Sequence, residues 1–275
     1  MRSGGPASGQ THVDGEMTRT DDIARIHDAL MAAVEAIRPF KPGDVDFTVK
    51  SDRGDPLTAA DEAADAALKS ALLRAGEGWL SEESTDDARR LSLRRVWVID
   101  PIDGTREFID GVPEWCVSVG LVEDGFPVAG GILNPVTGEL VIGSLETGVE
   151  FNGRPSTVRG LPSLEGAVIL ASRSEIKRGE WNRFDDAPFE VKPCGSVAYK
   201  MALVAAGQVD GTWTLVPKSE WDVAAGTALI RAAGGAVVHL DGSDPHFNQP
   251  TPRFPNLLAS SSALLSELRA DWLWP

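Results

Sequence analysis

The chain has 275 residues, of which 26 are basic and 41 acidic, giving a formal charge of −15 at pH 7. That length buries a sizeable core, either as one large domain or as two that share a cleft. The acidity argues against a nucleic-acid-binding surface and against docking on an anionic membrane, and no run of 18 apolar residues offers a spanning helix.

A small phosphate substrate stays open, because bound divalent cations reverse the local field whatever the global charge. The two cysteines, Cys116 and Cys194, each lie in an apolar stretch. They are expected as buried, reduced thiols of a cytoplasmic protein, and two cysteines alone make a poor zinc site.

Residues 1–20 are rich in Gly, Ser and Thr, lack the apolar segment of a signal peptide, and are expected as a disordered tail. Met17 stands just before the first helical pattern and offers a second candidate start. Ile23, Ile26, Leu30, Ala33, Val34 and Ile37 recur at helical spacing and stop before Pro39. Val45, Phe47 and Val49 alternate as a strand, and an Ala/Leu-rich helix is predicted from Thr58 to Ala75 with Gly76 as its cap. A strand near Trp79 delivers Ser81, Glu82 and Glu83. Residues 116–123, 127–133 and 139–143 are predicted strands joined by tight turns, so this sheet should be largely antiparallel and residues 21–160 form an α+β half. After Leu161, segments at 167–171, 174–182, 196–207, 212–216, 222–233, 236–239 and 257–270 alternate between strand and helix. Residues 161–275 are therefore expected as an α/β half, with the chemistry between the two halves.

The most informative stretch is Val-Trp-Val-Ile-Asp-Pro-Ile-Asp-Gly-Thr-Arg-Glu-Phe at 96–108. Its strand half is apolar and β-branched at Val96, Val98 and Ile99, and Pro101 is expected to stop the ladder. Two carboxylates, Asp100 and Asp103, then stand at the strand's end, where they repel unless a hard cation such as Mg²⁺ lies between them. Behind them, backbone N–H groups of Gly104 and Thr105 at a helix start suit a phosphate. An N-cap and a turn would account for either Asp alone, though not for both with Gly-Thr. Glu82 and Glu83 could face Asp100 across neighbouring strand ends, although a Glu-Glu pair by itself is ordinary surface. Asp222, in Trp-Asp-Val-Ala-Ala-Gly, starts an Ala/Gly-rich helix and by itself is explained as an N-cap. Asp61, three residues after Thr58, is explained as part of a capping box.

Four motifs in order carry a resemblance to a known family. They are Lys50 followed eleven residues later by Asp61 in Leu-Thr-Ala-Ala-Asp, Ser-Glu-Glu at 81–83, Asp-Pro-Ile-Asp-Gly-Thr-Arg-Glu-Phe at 100–108, and Trp-Asp-Val-Ala-Ala-Gly at 221–226. From about residue 21 onward the chain resembles the inositol monophosphatase superfamily of Mg²⁺-dependent, lithium-sensitive phosphatases. The resemblance implies a layered α-β-α-β-α sandwich of the sugar phosphatase fold, a homodimer, Li⁺ inhibition and a site between the halves. It implies that Glu82, Asp100 and the Ile102 carbonyl hold one Mg²⁺ and that Asp100, Asp103 and Asp222 hold a second, with a third, weaker ion near Glu82. Catalysis falls to Glu82 and to Thr105, which Asp61 orients to position the attacking water. Gly104 and Thr105 hold the phosphate, and Asp222 also borders the substrate. No protein nucleophile is required, and His12, His27, His239 and His246 need no role.

Three details resemble the 3'(2'),5'-bisphosphate nucleotidase (CysQ-type) branch, which removes a phosphate from adenosine 3',5'-bisphosphate. Thr-Arg-Glu-Phe-Ile replaces the Thr-Thr-Asn-Phe of inositol enzymes. Arg173, in Ala-Ser-Arg-Ser-Glu at 171–175, could meet a second phosphate. Lys200, in Gly-Ser-Val-Ala-Tyr-Lys, falls where nucleotidases carry a substrate-contacting Lys. Either of these could also be surface charge. Leu215 stands where inositol enzymes place a hydroxyl-binding Glu, with Glu220 nearby, and Thr214 stands near where nucleotidases carry an Arg. Inositol 1-monophosphate or another sugar phosphate is the alternative substrate, and a silent phosphate-binding regulator is the alternative class.

Overall fold

The computed structural model describes residues 18–49, 56–214 and 216–273. Lys50, Leu215, Met17 and most of the expected 1–20 tail lie outside them. The tail's expected end is corrected, because Thr18 caps helix α1 (Arg19–Ile37) and exchanges hydrogen bonds with Asp21 in a capping box. A hairpin of β1 (Phe47–Val49) and β2 (Pro56–Thr58) leads into α2 (Ala59–Leu72). That helix stops short of its expected end at Ala75. Leu73 turns to extended geometry as Arg25 donates to the Leu72 carbonyl, and Gly76 instead sits at φ +86° in the following turn.

There follow β3 (Gly78–Ser81), β4 (Arg95–Asp103), α3 (Thr105–Asp110), β5 (Cys116–Glu123), β6 (Phe126–Asn134), β7 (Glu139–Ser144), β8 (Gly148–Phe151) and β9 (Arg154–Ser156). These strands form one seven-stranded sheet in chain order, antiparallel throughout except for the parallel pair β3–β4. Pro101 does not end its strand. The β4–β5 ladder breaks after Asp100↔Ser118 and resumes at Asp103↔Cys116, so the missing donor produces a bulge that carries both aspartates.

The second sheet is built from β10 (Val168–Ser172), β11 (Glu190–Cys194), β12 (Gly211–Thr214), β14 (Ala236–Val238) and β16 (Leu257–Ser260), in the order β11-β10-β12-β16-β14. A two-stranded ribbon pairs β13 (Lys218–Ser219) with β15 (Arg253–Phe254). Helices α4 (Arg173–Lys177), α5 (Val197–Ala205), α6 (Glu220–Ala232) and α7 (Ser262–Leu268) complete the half. The helix expected over 174–182 is shorter because Gly179, at φ +78°, ends it. The single element expected over 257–270 is a strand and a helix that part at the N-cap Ser261.

Helices α1 and α2 cover one face of the first sheet, α5 and α6 lie between the two sheets, and α4 and α7 flank the second, giving the layered α-β-α-β-α sandwich. One buried cluster includes Leu80, Val98 and Ile132 of the first sheet, Ala224, Ala225 and Leu229 of α6, and Leu257 of the second sheet. Glycines set the spacing of that layer. A Cβ at Gly120 would lie 2.9 Å from the Ala225 nitrogen and one at Gly130 2.8 Å from its carbonyl oxygen, so α6 rests directly on the sheet backbone. Cys116 and Cys194 are free and buried, as expected.

Candidate metal and phosphate site

The parallel pairing of β3 with β4 sets Ser81 beside Ile99, and the Glu82 N–H donates to the Ile99 carbonyl at 3.3 Å. Glu82 therefore stands beside Asp100 at adjoining strand ends. Asp222 arrives from the other side of the cleft on the first turn of α6. It is not the N-cap expected for it: Ser219 takes that place, and Asp222 is the third helical residue, accepting the Ser219 N–H at 2.9 Å. Glu82, Asp100 and Asp222 each offer a carboxylate oxygen, and the three oxygens lie within 4.8 Å of one another.

Three carboxylates this close are held together at an electrostatic cost. Asp100 is 1 % exposed, and its buried Oδ1 has no hydrogen-bond partner among the described residues. Burial first, then the charges of Glu82, Asp103 and Asp222, push its pKa well above the usual carboxylate range. Asp222 is pushed up to about 8, by burial and then by Asp103. An orphaned, oxygen-only donor set of this kind fits Mg²⁺, whose charge would satisfy Oδ1 and cancel the repulsion. The Ile102 carbonyl, a further expected ligand, lines the same cleft and accepts the Thr105 hydroxyl at 3.1 Å, which leaves it one lone pair.

Asp103 is close by but falls outside the three-carboxylate group. Its Oδ2 accepts Ser196 Oγ at 2.7 Å and the Ala198 N–H, so one oxygen is tied to the start of α5. Ser196 holds a strained backbone at φ +49°. Its hydroxyl also accepts the Tyr199 N–H at 2.9 Å, and its carbonyl receives Lys200 Nζ at 2.7 Å.

The structure joins Thr105 to Asp61 as expected. The Thr105 hydroxyl lies 3.3 Å from Asp61 Oδ1, and Oδ2 accepts the N–H and hydroxyl of Thr58, so capping and orientation share one carboxylate. Gly104 precedes α3 at φ +99°, and a Cβ there would lie 3.1 Å from both the Glu114 carbonyl oxygen and Trp115 Cβ. Gly104→Ala is expected to destabilise the fold by about 1–2 kcal/mol through the left-handed backbone. Displacement of the loop should also lower kcat/KM roughly tenfold, as thermal melts and steady-state assays on one preparation would show.

The substrate contacts expected from sequence divide. Arg173 is exposed and does not line the cleft. Its guanidinium forks onto Glu114, with Nε 2.6 Å from Oε2, and Glu114 also accepts the Gly195 N–H at 2.6 Å. Lys200 does line the cleft but is no surface charge: it is 3 % exposed and bonded to the carbonyls of Cys194, Gly195 and Ser196, and burial lowers its pKa. Glu220 is buried and turned away, accepting the N–H groups of Asn248 and Gln249. The Thr214 hydroxyl donates to buried Glu175.

Arg106, part of the Thr-Arg-Glu-Phe-Ile stretch singled out in the sequence, lines the cleft, together with two cations the sequence did not single out, Lys218 and Arg253. Lys218 could have been found from its nearness to the Trp-Asp motif. Arg253 could not, because only the pairing Ser219↔Arg253 brings it there. The cleft has a volume of about 360 Å³, room for more than a phosphate ion.

An acid cluster formed by two strand ends of the first sheet and the first turn of α6, next to a Gly-Thr helix start, defines a metal-dependent phosphatase of the sugar phosphatase fold. Residues 20–273 match the inositol monophosphatase family, and the chain belongs to it. It is 37 % identical over 198 residues to an inositol-1-monophosphatase of Mesorhizobium japonicum, covering 69 % of this chain and 74 % of that one. Among solved structures, the extragenic suppressor protein suhB of Bartonella henselae superposes with a TM-score of 0.77 at 27 % identity, over 90 % of this chain and 97 % of the other. CysQ of Bacteroides thetaiotaomicron superposes with a TM-score of 0.72 at 28 % identity, over 88 % and 98 %. Members of the family are metal-dependent phosphatases, and this chain is an enzyme of that class.

Proposed function

We propose that the chain hydrolyses adenosine 3',5'-bisphosphate to AMP and phosphate with Mg²⁺. The observation that carries this reading is the arc of cations, Arg106, Lys200, Lys218 and Arg253, that lines the cleft around the acid cluster. A substrate with a second phosphate would meet positive charge along this lining. Glu220, the one acid near the position used by inositol enzymes for sugar hydroxyls, is committed to the backbone of 248–249.

When bound, the ions supply water activation and charge neutralisation at the leaving oxygen. The chain's own residues do the rest. Thr105, whose hydroxyl reaches both Asp61 Oδ1 and the Ile102 carbonyl, presents a lone pair to the attacking water and orients it, and the Gly104–Thr105 backbone receives the phosphoryl oxygens. The same reading brings two or three Mg²⁺ ions, inhibition by Li⁺, a homodimer and a cytoplasmic location.

A second reading, inositol 1-phosphate or another sugar phosphate, is favoured by the likeness to the Mesorhizobium inositol-1-monophosphatase. Side-by-side assays with Mg²⁺ decide between them. Adenosine 3',5'-bisphosphate is expected to turn over at least about tenfold faster, a difference of 1.4 kcal/mol in the barrier. The reverse order would overturn the proposal.

A further inference from the structure

The acidic turn at Glu82–Glu83 is anchored by a residue that touches neither the acid cluster nor the cleft. Asp65 lies one helical turn beyond Asp61 on α2, so both carboxylates leave the same face of one helix. Asp65 is 9 % exposed, and each of its oxygens has one partner. Oδ1 accepts Ser81 Oγ at 2.5 Å, and Oδ2 accepts Ser84 Oγ. These serines stand immediately before and immediately after the Glu82–Glu83 pair.

The bracket is extended on both sides. Ser81 Oγ also accepts the Glu83 N–H at 3.3 Å, and Ser84 Oγ accepts Trp79 Nε1 at 3.3 Å from within β3. Asp65 is thus the acceptor on which a chain of donors from both ends of the turn converges. Both its oxygens are engaged by hydroxyls, and it is absent from the three-carboxylate group, which separates it from the ligands.

We propose that Asp65 is a positioning residue that sets the metal-binding geometry of Glu82 by clamping Ser81 and Ser84 to α2. Because α2 also carries Asp61, one rigid helix aligns the Thr105 partner and the acid turn with each other. The proposal rests on the reading that Glu82 helps hold Mg²⁺. Outer-shell partners of this kind typically govern metal affinity by 10–100-fold.

The test is a calorimetric Mg²⁺ titration of the metal-free full-length protein, beside the Mg²⁺ dependence of turnover. Asp65→Ala is expected to weaken Mg²⁺ binding by roughly 10–100-fold. The KM for the phosphate ester at saturating Mg²⁺ should stay within about twofold of wild type, as for a loss of positioning rather than of substrate contact. Ser84→Ala, which removes one arm of the clamp, should shift Mg²⁺ affinity in the same direction by less, and it decides the matter if Asp65→Ala does not fold. Mg²⁺ affinity unchanged within about twofold in the folded variants overturns the proposal, whatever their melting temperature. A wild-type protein that takes up no Mg²⁺ overturns the parent reading and this one with it, so the two failures are distinguishable.

Discussion

Asp100→Asn is expected to lower kcat by about three orders of magnitude or more while leaving the fold intact. Asp100 lies centrally among the acidic side chains, one oxygen buried without a partner and Glu82, Asp103 and Asp222 all close enough to raise its pKa. Asn keeps the shape and removes the charge that a bridging cation needs. Losing about 4 kcal/mol of charge stabilisation in the transition state corresponds to roughly 10³ in rate. The same change removes an unpaired buried acid from the metal-free protein, so its melting temperature in EDTA at about pH 8 should equal or exceed that of wild type. Turnover within about tenfold of wild type would place the chemistry elsewhere.

The second large effect is a stabilisation by Mg²⁺ that grows as pH rises. In the metal-free protein burial and Asp103 push the pKa of Asp222 up to about 8, and Asp100 is displaced in the same direction. The folded chain therefore binds more protons than the unfolded chain across that window. The contribution of these two groups to stability is fully present below about pH 4 and is lost as pH rises toward 8. Bound Mg²⁺ favours the ionised carboxylates and must displace those protons. Melting temperatures in EDTA should fall between about pH 5.5 and 8.5, while the increment from saturating Mg²⁺ grows over the same range. Calorimetric titrations in buffers of different ionisation enthalpy should register proton release on binding. A pH-independent Mg²⁺ increment would show that these carboxylates are not the ligands.

The sequence made the acid strand legible because its signal is local: an apolar β-branched run, two carboxylates and Gly-Thr within thirteen residues. The first helix and the antiparallel run 116–144 were legible for the same reason, since their hydrophobic period and turn residues lie within one window. What escaped depended on distant partners. Pro101 was expected to end a strand, but the ladder resumes because Asp103 finds Cys116 beyond the bulge. Arg173 offered a free-looking fork in sequence, and its partner Glu114 lies 59 residues away. Lys200 carried a charge without a sign of its burial, because the three carbonyls that hold it belong to the turn before its own helix. The end of α2 was set by Arg25, a residue of another helix.

The bare contact of α6 with Gly120 and Gly130 acquires a meaning beyond packing once Asp222 is followed three residues along to Ala225. Ala225 is the point at which the helix touches down on the sheet, while Asp222 must meet Asp100 and Glu82, which the sheet itself carries. Mg²⁺ tolerates little departure from about 2.0–2.1 Å to its oxygens. The proposed ligand set would therefore work as a gauge of interlayer distance: a single methyl group at either glycine, uncharged and remote from the cleft, would be felt as lost coordination.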